Sequence, residues 1–222
     1  MNFTLDKTTL QRKYKKGSFR YYLHLMARII KRIYHTPHND MMTSNDINHI
    51  PQGMFISIWG KNNHIWIDPS IETFHGNITI GDNNTTVDNC TLKIGEKCIS
   101  NGINIVLYEP GSSVIIGKNC LFSFNIDIWA SDSHSIFDKD TKKLLNWGKS
   151  IVIGDHVWVG MKSCILKNSH IANDCIVGAH SVVAGQFTES NCAIAGNPAK
   201  IVKRGISWDG LRPCEYQMKH NS

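Results

Sequence analysis

Apolar positions recur every six residues along the second half of the chain. Ile153, Val159, Ile165, Ile171, Val177 and Val183 stand six apart, and each is followed by Gly or Ala except where Leu166 stands. A helix returns an apolar residue every three or four positions and a half-buried strand every second one. A period of six fits a chain that turns a corner every six residues. Each turn then sends one aliphatic side chain to the axis and puts a small residue where a larger one would clash. That is a β-helix, a solenoid in which each coil buries its face on the next. Ile80-Gly81, Ile94-Gly95 and Ile116-Gly117 carry the same mark, and Ile94 reaches Val106, as Ile116 reaches Ile128, in two beats. The phase slips between these blocks, which predicts short loops or bulges interrupting the coil.

The flanks read differently. Residues 19–34 predict an amphipathic helix. Phe19, Leu23, Met26, Ile30 and Ile33 share one face, and Arg20, His24, Arg28, Lys31 and Arg32 crowd the other, with Ser18 as N-cap. Residues 35–52 read as a polar linker with two prolines. The organisation expected is a basic arm over 1–52, a solenoid over 53–188, and a turn, short basic strand and tail over 189–222. One long loop, 129–150, contains Ser131-Asp132-Ser133-His134 and then a polar run. A loop of that length in a compact fold is usually functional or disordered.

Composition narrows the classes. The chain has 222 residues, 41% of them hydrophobic, enough for one core. No run approaches the roughly 18 apolar residues that span a membrane. The N-terminus has no apolar signal segment, so a cytoplasmic protein is expected. Charge is lopsided: residues 1–35 carry +8 and the remainder −2. A basic amphipathic arm suits docking as a cap on the first coil, or peripheral contact with an anionic membrane. No nucleic-acid motif accompanies it, and no nucleic-acid partner is expected. The seven cysteines are an odd number without a C-x-x-C pair, which fits buried small hydrophobes.

The hexads, the segment 153–160 (IGDHVWVG) and the ending 195–203 (AGNPAKIVK) resemble the hexapeptide-repeat acyltransferases. Within that family the chain is most similar to galactoside and maltose O-acetyltransferases and to enzymes that O-acetylate bacterial surface polysaccharides. The match covers about residues 75–205 and leaves 1–52 outside. The resemblance implies a left-handed parallel β-helix with three hexads per coil. It also implies a homotrimer with its active sites between subunits and acetyl-CoA along the intersubunit groove.

Residue roles follow from motif position. His134, at the mouth of the long loop, matches the family's general base. A hydroxyl is a poor nucleophile until its proton is taken, and an imidazole titrates in the right range to take it. Asp127, Asp132 or a backbone carbonyl would orient its second nitrogen. Asn125 matches an asparagine that contacts the acceptor, and Trp158 an aromatic beside thioester and acceptor. Acetyl-CoA would lie along Met161, Ala179, Ala184 and Gly185, with Lys200 and Lys203 near its phosphates, Arg204 adding to them, and Gly160 and Gly178 keeping the groove open. His156, His170 and His180 are spaced by fourteen and ten, neither a multiple of six, so they form no zinc triad and no metal is expected. The expected activity is acetyl-CoA-dependent O-acetylation of a sugar or glycan hydroxyl. The alternatives are N-acetylation of an amino sugar, acetylation of a xenobiotic or serine, and a non-catalytic β-helix scaffold.

Overall fold

The computed structural model describes residues 45–148 and 150–220. The basic arm, with the amphipathic helix expected over 19–34, and most of the linker lie outside the described residues.

Three parallel walls enclose one core. The first wall stacks β1 (Asp46–Ile47), β3 (His64–Ile67), β5 (Thr91–Ile94), β8 (Ser113–Ile116), β11 (Ser150–Ile153), β14 (His170–Ile171) and β17 (Gln186–Phe187). The second stacks β2 (Gln52–Ile58), β4 (Thr73–Ile80), β7 (Ile103–Leu107), β10 (Ile126–Trp129), β13 (Cys164–Leu166) and β16 (Val182–Val183). The third holds β6 (Ile99–Ser100), β9 (Leu121–Phe122), β12 (Trp158–Val159), β15 (Ile176–Val177) and β18 (Cys192–Gly196), with β19 (Ala199–Arg204) folded back antiparallel on β18. From β5 onward the chain visits first, third and second wall in turn. Its strands start at Asp46, ahead of the Gly53 boundary. Asn48 clamps this first rung to β3, its side chain donating to Ile67 O at 2.9 Å and accepting from Ile67 N at 2.8 Å.

The six-residue beat is the core. Ile153, Val159, Ile165, Ile171, Val177 and Val183 are all buried and fall on the three walls in rotation. Partners Val152 and His170, Trp158 and Ile176, and Cys164 and Val182 lie eighteen residues apart, three hexads to a coil. The slips upstream are insertions at corners: Thr91 pairs with Ser113, the extra residues forming the turn at Tyr108–Gly111.

The small residue after each beat has a stacking cause. A Cβ on Gly160 would stand 2.6 Å from Ala179 N and 2.8 Å from Val177 O of the next coil. One on Gly178 would stand 3.0 Å from the Ala195 Cβ. Coil-on-coil contact gives both positions a steric reason to stay small. Leu166 escapes the rule because β13 runs one residue longer there and Leu166 pairs with Trp129 as strand.

A second column was not read from the sequence. His156, Lys162, Asn168, Asp174 and His180, again six apart, all take left-handed backbone with φ between 54° and 61°. Each follows a beat residue by three and turns the corner. Two places before several of the beats sits a small polar group that ties coils together. Ser163 Oγ donates to Gly178 O at 2.9 Å, Ser169 Oγ to Val183 O at 3.1 Å, and Cys120 Sγ to Gly154 O at 3.2 Å. All seven cysteines are free, and five of them (Cys90, Cys98, Cys120, Cys175, Cys192) are buried.

The tail beyond β19 is ordered over its described part and ends in α1 (Pro213–His220), which has no buried residue. No helix among the described residues is long and apolar enough to cross a membrane.

Candidate active site

The long insertion leaves the coil after β10 and returns at β11 without disturbing register. Asp127 still pairs with Cys164 and Ile128 with Ile165 across it. It is a pinned hairpin, with a bridge between Phe137 and Leu144 and Asp138 N donating to Lys143 O at 2.9 Å. Its stem is anchored on both sides. Ser131 Oγ donates to Glu109 Oε1 at 2.7 Å and accepts from Ser133 N at 2.9 Å. The Asn146 amide nitrogen donates to Asp132 Oδ2 at 2.9 Å and to His134 O at 2.8 Å. Lys167 of the coil above pairs with Asp132 at 3.1 Å and donates to Asn146 O at 3.0 Å. Burial would push the Asp132 carboxyl up, but the Asn146 and Lys167 bonds outweigh it and hold the group below its ordinary value.

His134 sits on this stem next to Ser133, whose φ is +63°, and it is exposed. Its backbone is fixed from two directions, by Asn146 and by its own N–H donating to Asp132 O at 2.7 Å. Its ring makes no hydrogen bond among the described residues. Asp132 is engaged by Lys167 and Asn146, and Asp127 accepts from the Asn104 amide at 3.2 Å, so neither carboxylate bonds the ring within one chain. Lys167 and Asn146 were not singled out in the sequence; no motif marks them.

Asn125 and Asp127 come together at the opposite end of β10. Asn125 holds a corner with φ +56°, and both line an open groove of about 430 Å³ with Phe55, Asn77, Gly102 and Asn104.

Trp158 projects half-buried from β12, its indole donating to Ser123 Oγ at 3.3 Å. It belongs to a cluster that the sequence did not announce. Trp208, from the tail, lies 6.1 Å from Trp158 and stacks on His156, donating to His156 O at 2.8 Å. His156 Nδ1 in turn meets Asp174 Oδ1 at 2.9 Å. Trp208 is fifty residues beyond Trp158, and only the folded-back tail joins them.

Met161 and Ala179 stack on one corner, where His180 N donates to Met161 O at 2.9 Å. Both are exposed, and their own N–H groups donate to no acceptor among the described residues. Ala184 and Gly185 occupy the next corner round. Lys200 and Lys203 are exposed on β19, opposite Ala195 and Ala193, and make no ion pair among the described residues. Arg204 instead grips Glu189 through Nε at 3.0 and 3.1 Å. Among the described residues, no three His, Cys, Asp or Glu converge as a metal site would need.

A hexad coil broken once by an anchored histidine loop defines a class of transferase, and comparison with known proteins agrees. The family model for bacterial transferase hexapeptide (six repeats) matches residues 150–185. The polysialic acid O-acetyltransferase of Neisseria meningitidis is 34% identical over 169 residues, covering 69% of this chain and 78% of that one. The polysialic acid O-acetyltransferase of Escherichia coli O1:K1 / APEC is 41% identical over 96 residues, 43% of this chain, and the match spans only 31% of that relative's length. The solved structure of the polysialic acid O-acetyltransferase OatWY superposes with a TM-score of 0.60 at 30% identity, covering 79% of this chain and 92% of the other. This chain belongs to the hexapeptide-repeat acyltransferase family, and its coil is the left-handed β-helix of that family.

Proposed function

We propose that the protein is an acetyl-CoA-dependent O-acetyltransferase acting on a sugar hydroxyl of a bacterial surface polysaccharide or its precursor. The observation that carries this reading is His134: an exposed imidazole, with no bond of its own among the described residues, on a stem fixed by Asn146, Asp132 and Lys167. That is the condition of a base held ready for an external hydroxyl. The relatives named as polysialic acid O-acetyltransferases support the reaction class and the glycan acceptor.

The chain's residues divide the work. As the acceptor oxygen attacks the thioester carbonyl, His134 takes its proton and returns it to the departing thiolate. The amides of Met161 and Ala179, without an acceptor among the described residues, suit the carbonyl oxygen and the pantetheine arm, because unpaired N–H donors stabilise developing negative charge. Lys200 and Lys203 supply point charges for phosphates. Asn125 and Asp127 face the acceptor, and Trp158 walls the site. No cysteine carries the acetyl group.

The site is read as lying between copies in a homotrimer. Within one chain His134 lies past the far end of β10 from Asn125. The hairpin that carries it exposes Ile136, Phe137, Leu145 and Trp147, apolar surface that a neighbouring copy would cover. The arm over residues 1–35, at +8, suits peripheral contact with an anionic membrane surface.

A thiol-release assay with acetyl-CoA and a panel of glycans tests the reading. His134→Ala should lower kcat at least ~100-fold, within the usual share of general-base catalysis, with the assembly mass unchanged. Equal turnover by the variant would overturn it.

A further inference from the structure

The groove beside Asn125 and Asp127 extends well beyond them. On the outward face of the second wall, Phe55 pairs in register with Asn77, Asn77 with Asn104, and Asn104 with Asp127. These four side chains climb four successive rungs. At about 4.8 Å per rung the column is roughly 14 Å long, more than one sugar ring. Phe55, at its far end, is 61% exposed, unusual for a phenyl ring on a strand.

The composition of the column selects a ligand. Side-chain amides present both a donor and an acceptor, the pairing that neighbouring sugar hydroxyls require. A carboxylate accepts only, and a hydroxyl donates to it. An exposed aromatic face offers the apolar surface on which the C–H face of a pyranose lies. Gly53, Gly76 and Gly102 edge the groove, and at Gly102 a Cβ would meet only Asn125 N, at 3.5 Å. Among the described residues, those lining it include no Lys, Arg or His, and one of them is Asp127. A run of sialic acid carboxylates would therefore meet a negative charge and no cation from the described lining, a mismatch at short range.

We infer that the Phe55–Asn77–Asn104–Asp127 column is an extended acceptor subsite for uncharged sugar units of an oligosaccharide or polysaccharide. This rests on the reading of the protein as a glycan O-acetyltransferase. It adds that the acceptor is longer than a monosaccharide and neutral where it crosses the second wall, unlike the acceptor in the names of the polysialic acid enzymes.

The test uses the full chain, with chitotetraose and maltotetraose as neutral probes and an α2,8-linked tetramer of sialic acid as the anionic one. Binding is read by saturation-transfer NMR, turnover by thiol release, and assembly mass by light scattering. The expected result is that at least one neutral tetrasaccharide binds and the sialic acid tetramer does not. Phe55→Ala and Asn77→Ala should each raise KM for that tetrasaccharide about tenfold relative to KM for its monosaccharide. A tenfold change corresponds to about 1.4 kcal/mol of binding free energy. Preference for the sialic acid tetramer, failure of both neutral probes to bind, or an unchanged KM ratio overturns the inference. So does loss of assembly mass in either variant, since the column would then be an interface between copies. Acetyl transfer to any glycan with these outcomes removes the subsite but keeps the proposed function. Neutral binding without acetyl transfer to any glycan removes the function and leaves the groove.

Discussion

The indole of Trp208 lies flat on the imidazole of His156, ring centroids 4.4 Å apart and planes 12° from parallel. The same indole donates to the His156 carbonyl, and Asp174 holds the imidazole from the coil above. A tail that leaves the coil after β19 is thereby brought back beside Trp158, 6.1 Å from its ring. Trp208 positions Trp158 by filling the space against it.

Trp208→Ala should therefore lower kcat about tenfold and stability by about 1–2 kcal/mol, less than a fully buried Trp would cost because the ring is half-exposed. Trp208→Phe should restore most of the stability but not the hydrogen bond to His156 O. Steady-state kinetics beside urea titrations check both.

Asp132 and Lys167 pin the histidine loop to the coil. Lys167→Met should lower kcat about tenfold with little change in thermal midpoint, because the pair is partly exposed and holds a loop rather than a core. Trypsin should then cut faster at Lys139, Lys142 and Lys143 in the hairpin. Folding holds the Asp132 carboxyl below its ordinary value of 3.8, so the anchoring is complete above that pH and is lost as pH falls through the lower folded value. Cleavage of the hairpin by pepsin, which is active in that acid range, follows the loss.

Gly160→Ala should destabilise by about 1–3 kcal/mol, the range for overpacking. Its Cβ would meet backbone atoms of Val177 and Ala179, which cannot swing aside as a side chain would. Gly185→Ala meets no atom within 4 Å, and its cost comes from φ +148° alone. Denaturant midpoints of the two variants separate collision from backbone strain.

The thiols should fall into three kinetic groups with an aromatic disulfide reagent: exposed Cys214 at once, half-buried Cys164 more slowly, and the five buried ones only on unfolding. Burial pushes the Cys90 and Cys175 thiols above their ordinary value. The stability this contributes is full below that value and is lost as pH rises through the folded one.

The periodic part of the molecule was legible because each hexad repeats one steric problem. Ile153 through Val183 had to point inward, and the small residue after each had to clear the coil above. The corner residues were not legible as such, since His156, Lys162 and Asp174 share a backbone conformation but no side-chain type. His134 was singled out by its place at the loop mouth together with the family resemblance. Trp208 and Lys167 were missed because their roles depend on contacts between distant segments, which no local pattern records. Glycine at 160 was noticed, but its cause lies one coil on, at Val177 and Ala179.

The rungs on either side of the histidine hairpin pair as though the excursion were not there. Such a segment is free to lengthen, shorten or exchange its side chains without shifting any layer of the prism. Selection can thus rework this excursion while the supporting framework stays fixed, so the two answer to separate stretches of the gene.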